Sequence, residues 1–405
     1  MSSNTDFPVL SLVERDRRFA RTRELLKRLG LEGLILAGLV SREQYDTYLT
    51  NDYAEGIVIF PTEGTPTYIT WQEGRLMRMK EAQQRGIAPW VEDMRVGVDG
   101  PTVAAVIREK GLDKTRLGVV GLESRGPSEM NGYIPYALWT KILAELPHAQ
   151  FVDCFTAFAA MMLVKSEEEL VLMRRSAAIG EEACKVMLKM AKPGVSELEI
   201  TAEVIYTIFK NCAFSPQPFL ILHSGPETVS WGPPIWRYQG GPTRTLQKGD
   251  MVLAEIFPRY GGFESQQQMA IALQPVDEIH MECAGLARRA YEVGLEVLRP
   301  GVSFNKLADE MEKPIKEAGC WHISPMIHSL SPLAWVGRVE ASTKGEQGKG
   351  AWESRDLIIE AGMVFELEPN AQRGKHRVNI GGTVVVTESG VEELNVLPTH
   401  MHVVE

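Results

Sequence analysis

The sequence predicts an α+β fold in two domains, the larger of them built from two related halves. Three observations carry this. Between residues 33 and 160, short apolar runs bounded by Gly and Pro alternate with helical stretches, the pattern of a mixed α/β domain. Further on, residues 177–196 (AAIGEEACKVMLKMAKPGVS) align without gaps on 284–303 (AGLARRAYEVGLEVLRPGVS), with eight identities in twenty positions and an offset of 107, Pro300 minus Pro193. Between those copies, KGDMVLAEIFPRYGGFESQQQMAIAL (248–273) carries a Gly pair flanked by Tyr260 and Phe263. That is a hairpin signal, because a type I′ turn needs positive φ at both central positions.

Taken in order, residues 11–30 form an amphipathic helix closed by Gly30, and GLILAG (33–38), GIVIFP (56–61) and TYIT (67–70) are short strands. Helices follow over Glu73–Arg85 and Thr102–Lys110, and LGVVGLES (117–124) is a buried strand running into a loop. The domain boundary falls near Met161–Lys165, giving an N-terminal α/β domain over 1–160 and a larger domain over 161–405. Ser166 followed by Glu169 is a capping box that opens a long helix. In the larger domain each copy of the repeat is a helix, a Pro-Gly-Val-Ser break and a second helix (Glu197–Asn211, Phe304–Gly319), followed by β-rich sequence. Two halves related by pseudo-symmetry, with helices on one face of a joined sheet, are the expectation.

Composition restricts the partners. The chain has 405 residues, 44% hydrophobic and 24% charged, as in a soluble globular protein, and its net charge of −10 disfavours nucleic acid or an anionic membrane. It has no apolar run long enough to span a bilayer, and MSSNTDFPVLSLVERDRR lacks the features of a signal peptide. Five scattered cysteines without CxxC spacing read as small core residues in a reducing cytoplasm. The expected partner is a small molecule.

The two-residue turn sets a register in which 260 pairs with 263, 257 with 266 and 255 with 268. Glu255, Phe257, Arg259, Glu264, Gln266 and Gln268 then share one face, with Arg259 and Glu264 placed to pair across the tip. Glu366 and Glu368, two apart in the apolar run MVFELEP, also share a face. Carboxylates on a buried strand carry a desolvation cost, which points to a functional site. A cleft between the halves would also draw on His223 in LILHSG and His328 in PMIHSLSP. Trp231, Trp236 and Tyr238 in SWGPPIWRY suit the wall of a pocket for an apolar or cationic group, or a subunit contact. His322, His376 and His400 read as lone surface or core histidines, and residues 344–355 as a solvated loop whose glycines would suit a flap.

From about Met161 to the C-terminus the motifs VKSEEELVLMRRSAAI, the two PGVS breaks, SGPET, KGDMVLAEI…YGGF, IHSLS, GMVFELEPN and GGTVVVTESGVEEL resemble the pita-bread fold of creatinase, aminopeptidase P, prolidase and methionine aminopeptidase. The N-terminal half is similar to that family only in general pattern. Metallopeptidases of the family bind two divalent ions through two Asp, one His and two Glu. The resemblance places Glu255 and Gln266 at the two Asp positions, His328 at the His, and Glu368 and Gly381 at the two Glu. An amide and a glycine remove two carboxylates, so the expectation is a site without a dinuclear metal. Creatinase works on the same fold without metal, and Glu368 matches its essential glutamate, His328-Ser329 its HS, and Arg338 the arginine that holds the substrate carboxylate. Its second catalytic glutamate falls on Gln268, its general-acid histidine falls at Trp231-Gly232, and TNDYAEGIVIF offers no counterpart to the arginine reaching over from the partner subunit.

The resemblance therefore implies a homodimeric hydrolase cleaving a C–N bond of a small polar substrate, with Glu368, His328 and Glu255 catalytic. Gln266, Gln268, Glu366, Trp231, Trp236, Tyr238, His223 and Arg338 would contact the substrate, and no metal would be needed. Two other readings stay open. One is a single-metal lyase or peptidase, similar to the sulfonium lyases, with the ion on Glu255, His328 and Glu368; the other is a binding protein without catalysis.

Overall fold

A computed structural model of the protein describes residues 7–39, 42–122, 134–216, 218–227, 231–322, 325–337 and 357–405, apart from the side chains of Tyr238 and Gln239. The chain forms two compact units, Leu10–Met162 and Leu163–Glu405, the second joined by the described residues of Met1–Val9.

The first unit runs α1 (Leu12–Leu29), β1 (Gly33–Ala37), α2 (Thr47–Thr50), β2 (Ile57–Pro61), β3 (Thr67–Thr70), α3 (Glu73–Gln84), β4 (Asp93–Val96), α4 (Gly100–Glu109), β5 (Arg116–Val120), α5 (Tyr136–Glu145), β6 (Gln150–Asp153) and α6 (Phe155–Met162). Its six strands lie in the order β4-β3-β2-β1-β5-β6. The Ser11 hydroxyl accepts from Val13 and Glu14 N–H to start α1, and Gly30, at φ 65°, ends it in the left-handed conformation that glycine adopts without penalty. Strands β1 and β2 are buried along their full length, which is why they read as continuous apolar runs.

The second unit runs α7 (Glu167–Met190), α8 (Glu197–Lys210), β7 (Ile221–Gly225), α9 (Trp236–Gln239), β8 (Met251–Ile256), β9 (Arg259–Tyr260), β10 (Phe263–Glu264), β11 (Gln267–Leu273), α10 (Glu278–Val297), α11 (Phe304–Glu317), β12 (Ile327–Ser329), β13 (Val364–Leu367), β14 (Asn370–Arg373), β15 (His376–Asn379), β16 (Gly381–Val386), β17 (Val391–Glu393) and β18 (His402–Val404). The capping box of Ser166 and Glu169 is formed, and the Ser of each PGVS break caps the helix after it, Ser196 for α8 and Ser303 for α11. Proline and glycine stop the first helix and serine starts the second, so the break recurs in both halves for a physical reason. On the second half, Ala287, Ala290 and Tyr291 of α10 and Phe304, Leu307 and Met311 of α11 share one core with Phe365, Leu367, Val384 and Val386 of the sheet.

The sheet order is β12-β13-β16-β11-β8-β7, with β17 on β16 and β18 beside β11. Strands from the two halves meet at β11 and β16, where Gln268 faces Gly381 and Gln267 faces Gly382. Tyr260 pairs with Phe263 and Glu255 with Gln268, as the Gly pair predicts, with Gly261 and Gly262 at φ 56° and 88°. The expected pairing of 257 with 266 is absent, because the ladder opens at Pro258, which has no N–H. Ser265 N–H donates to Pro258 O at 3.1 Å, and Gln266 N–H turns away to Thr383 Oγ1 at 2.8 Å.

The pseudo-symmetry extends into the sheet with its own offset. Strand order places β8 opposite β13 and β11 opposite β16 across the junction, so Glu255 corresponds to Glu368 and Gln268 to Gly381, each pair 113 apart (Glu368 minus Glu255). The hairpin pair Tyr260–Phe263 corresponds at the same offset to Arg373–His376 of β14 and β15, which are also paired with each other.

Candidate active site

One row of residues crosses the centre of the sheet: Glu255 on β8, Gln268 on β11, Gly381 on β16, and Glu368 immediately after β13. A second row, two residues along each strand, brings together His328 on β12, Glu366 on β13 and Thr383 on β16, with Gln266 beside Thr383. Positions two apart on a strand share a face, so both rows project to the same side. The structure thus brings together Glu255, Gln266, Gln268, His328, Glu366 and Glu368, all buried.

Glu368 is held on both oxygens. Gln268 Nε2 donates to Oε2 at 3.0 Å, and His328 Nε2 lies 3.4 Å from Oε1. His328 Nδ1 lies 2.9 Å from Ser329 O, a carbonyl that only accepts, so Nδ1 carries a proton. The approach of Nε2 to Glu368 then needs one further proton, carried by the ring or by the carboxyl. Burial pushes the Glu368 carboxyl well above the usual carboxylate range, the charge of Glu255 acts in the same direction, and Arg377 opposes both. A carboxyl so raised, facing an imidazole, is suited to passing a proton in either direction.

Glu255 stands at the other end of the row. Its Oε1 accepts from Trp231 Nε1 at 3.0 Å and from Asn379 Nδ2 at 3.4 Å. Trp231 is 48% exposed, so it lies between the buried carboxylate and solvent. At the hairpin tip Arg259 and Glu264 pair at 3.2 Å, both buried, and Gln266 Nε2 donates to Glu264 Oε1 at 2.8 Å. Gln266 therefore braces the hairpin.

Glu366, in the second row, is fully enclosed, 0% exposed. Thr383 has one hydroxyl proton and two oxygens in reach, Gln266 O at 2.9 Å and Glu366 Oε2 at 3.0 Å. A protonated Glu366 satisfies both by donating to Thr383. Burial first, then the charge of Glu368, raises its carboxyl well above the usual range. The stability this group contributes is full below the unfolded-state pKa near ~4.3 and is lost as pH rises toward the folded value, at up to about 1.4 kcal/mol per pH unit. Glu366→Gln keeps a donor for Thr383 and removes that dependence. Its Tm should gain on the wild type as pH rises from 5 to 8, by about 2–4 °C per kcal/mol. A difference between the two proteins that is flat with pH would show that Glu366 is ionised in the fold.

The residues do not fit a dinuclear metal centre. A Cβ built at Gly381 would run into Gln268 Oε1 and Leu367 O and would lie 2.9 Å from Glu368 Cα, so this position cannot carry a ligand side chain. Gln266 supplies an amide, and Glu255 Oε1 and Glu368 Oε2 are already occupied by N–H donors. Among the described residues no three His, Cys, Asp or Glu side chains converge as a ligand set.

The remaining expected residues lie elsewhere or outside the described part. His223 donates its Nε2–H to Gly232 O at 2.8 Å, and burial lowers its pKa, so the ring is neutral. With Trp236, Glu197, Ser224 and Arg244 it lines a cavity of about 370 Å³. Arg338, the side chain of Tyr238 and residues 344–355 lie outside the described residues. His322 faces Glu312 at 3.7 Å, and His376 packs edge-on against His280. Two residues were missed by the sequence reading, Arg377 and Asn379 of β15. Both alternate with the core residues Val378 and Ile380, the same signal that marked Glu366 and Glu368.

Comparison with known proteins agrees with this architecture. The chain is 22% identical to creatinase from Bacillus sp. (strain B-0618), over 96% of this chain and 92% of that one. It is 26% identical to ectoine hydrolase from Halomonas elongata, over 71% of this chain and 70% of that one. The dipeptidase PepE from Mycobacterium ulcerans superposes with a TM-score of 0.73 at 20% identity, over 98% of this chain and 99% of that one. These likenesses identify the pita-bread fold. The sequence profile of metallopeptidase family M24 matches residues 171–388, from inside α7 to just past β16, and with more than half of its length in that match the chain belongs to this family.

Proposed function

We propose that the protein is a hydrolase that cleaves a C–N bond in a small polar substrate bearing a cationic group, without a dinuclear metal centre. The observation that carries this is the Glu368–His328 pair at 3.4 Å, with Gln268 fixing the other carboxylate oxygen and Glu255 at the far end of the row. Relatives named creatinase, ectoine hydrolase and dipeptidase support the reaction class.

In this reading Glu368, ionised, takes a proton from a water molecule whose oxygen bonds to the electrophilic carbon. The C–N bond breaks, and the proton shared with His328 goes to the leaving nitrogen. Glu255, anchored by Trp231 and Asn379, faces the cationic part of the substrate with a fixed negative charge. Glu366, bonded to Thr383, lies next to Glu368 on the same face of the sheet.

The test is turnover by chelator-treated protein of verified metal content, against guanidino, amidine and amide compounds and Xaa-Pro dipeptides. Release of an amine or urea product by metal-free protein is expected. Turnover restricted to Xaa-Pro dipeptides and dependent on added divalent ion would overturn the reading. Tight ligand binding without turnover of any compound would favour a non-catalytic binding protein.

A further inference from the structure

The buried polar cluster holds, among the described residues, four carboxylates (Glu255, Glu264, Glu366 and Glu368) and two guanidiniums, Arg259 and Arg377. Arg259 is matched to Glu264 across the hairpin. Arg377 is 1% exposed and among the largest side chains fully enclosed by the fold. It sits on β15 opposite Gln372, two residues before Asn379, whose amide reaches Glu255. Val378 between them belongs to the apolar core, so Arg377 and Asn379 point together toward the carboxylate row. Burial opposes its charge, and the charges of Glu255 and Glu368, the two pseudo-equivalent ends of that row, favour it. At the 113-residue offset Arg377 corresponds to Glu264, so one half of the unit carries a positive charge where the other carries a negative one.

A guanidinium stays charged at any working pH, and a buried one requires anions around it. Two buried carboxylates on one side of a sheet likewise need a cation if both are to stay ionised. We propose that Arg377 is the resident cation of this site, a covalently fixed positive charge that holds Glu255 and Glu368 as an anionic pair and takes the charge-balancing place of divalent metal. The inference rests on the metal-free reading above and adds the group that makes such a site electrostatically complete. The crowding at Gly381 and the guanidinium of Arg377 then belong together, since a side chain that supplies the cation leaves no need for a further ligand.

Two arms separate failure of the inference from failure of that reading. The first measures bound metal by elemental analysis, and the Tm of wild-type protein with and without millimolar Mn²⁺ or Zn²⁺. No stoichiometric metal and no rise in Tm are expected; two ions per chain with a matching rise would overturn the metal-free reading and the inference with it. The second arm is a double-mutant cycle on Tm with Arg377→Met, Glu368→Gln and their combination. Arg377→Met keeps most of the volume and removes the charge, so its Tm loss should be at least halved in the Glu368→Gln background. Equal losses in both backgrounds overturn the role of Arg377 alone. Arg377→Lys, which keeps a charge, should retain more of the wild-type Tm than Arg377→Met. If Arg377→Met does not fold, a folded Arg377→Lys supports the proposal, and equal impairment of both variants assigns Arg377 to packing and overturns it.

Discussion

Glu368→Gln should lower the turnover number by about 10² to 10⁴, the usual effect of losing one acid–base group, while Tm stays at or slightly above the wild-type value. The geometry explains both halves of this expectation. The new amide oxygen can accept from Gln268 Nε2, as Oε2 does at 3.0 Å, and the new amide N–H can donate to the unprotonated His328 Nε2. Both hydrogen-bond contacts of Glu368 are therefore kept while proton exchange stops. Burial and Glu255 oppose the ionisation of this carboxyl while Arg377 favours it, so its removal costs the fold little. Rate and Tm measured on the same preparation decide the matter. A Tm that falls by many degrees while turnover per folded molecule stays near wild type would make Glu368 a structural acid.

Gly381→Ala should be among the most destabilising single-methyl additions available in this protein. The added Cβ meets two kinds of obstacle: Gln268 Oε1, which can move, and Leu367 O with Glu368 Cα, which belong to the neighbouring strand and can yield only if β13 and β16 part. Overpacking of this kind costs about 1–3 kcal/mol, and the backbone contact puts this case at the upper end. A Tm loss of roughly 6–12 °C follows for a unit of this size. Gln268→Ala in the same molecule should recover part of the loss, the part due to the side-chain contact. A Gly381→Ala protein melting within a degree of wild type would mean that β13 and β16 part at little cost.

Much of this site was legible in the sequence where local chemistry decides. The Gly261-Gly262 turn set the register that brings Glu255 against Gln268, and carboxylates in the apolar run MVFELEP marked Glu366 and Glu368. The PGVS breaks exposed the repeat because serine capping depends on neighbouring residues alone. What stayed hidden depends on contacts distant in sequence. That Gln266 leaves the ladder for Thr383 follows from how β16 lies beside β11, which no local pattern reports. Arg377 lies on a four-residue strand whose burial comes from neighbours far along the chain, and the short alternation around Val378 did not single it out. The two related halves with a joined sheet were expected from the repeat, but the residue-by-residue match of the strands was not, because several paired residues differ in kind, Gln against Gly and Glu against Arg, and because its offset of 113 differs from the 107 of the helices.

The matching of Glu255 with Glu368 has a consequence for direction. Two copies of one half would present identical ends, and a bound molecule would have no reason to prefer one orientation over its reverse. Here the backbone keeps the equivalence and the side chains abolish it: His328 stands at the Glu368 end, while Trp231 and Asn379 stand at the Glu255 end. On the proposed chemistry the row works as a vector, with the leaving nitrogen at the imidazole end and the retained charge at the indole end. A substrate with two similar C–N bonds would then be cut at one of them, because, of two histidines at matching register, only His328 meets the carboxylate of the row, while His223 on β7 is bonded to Gly232 O.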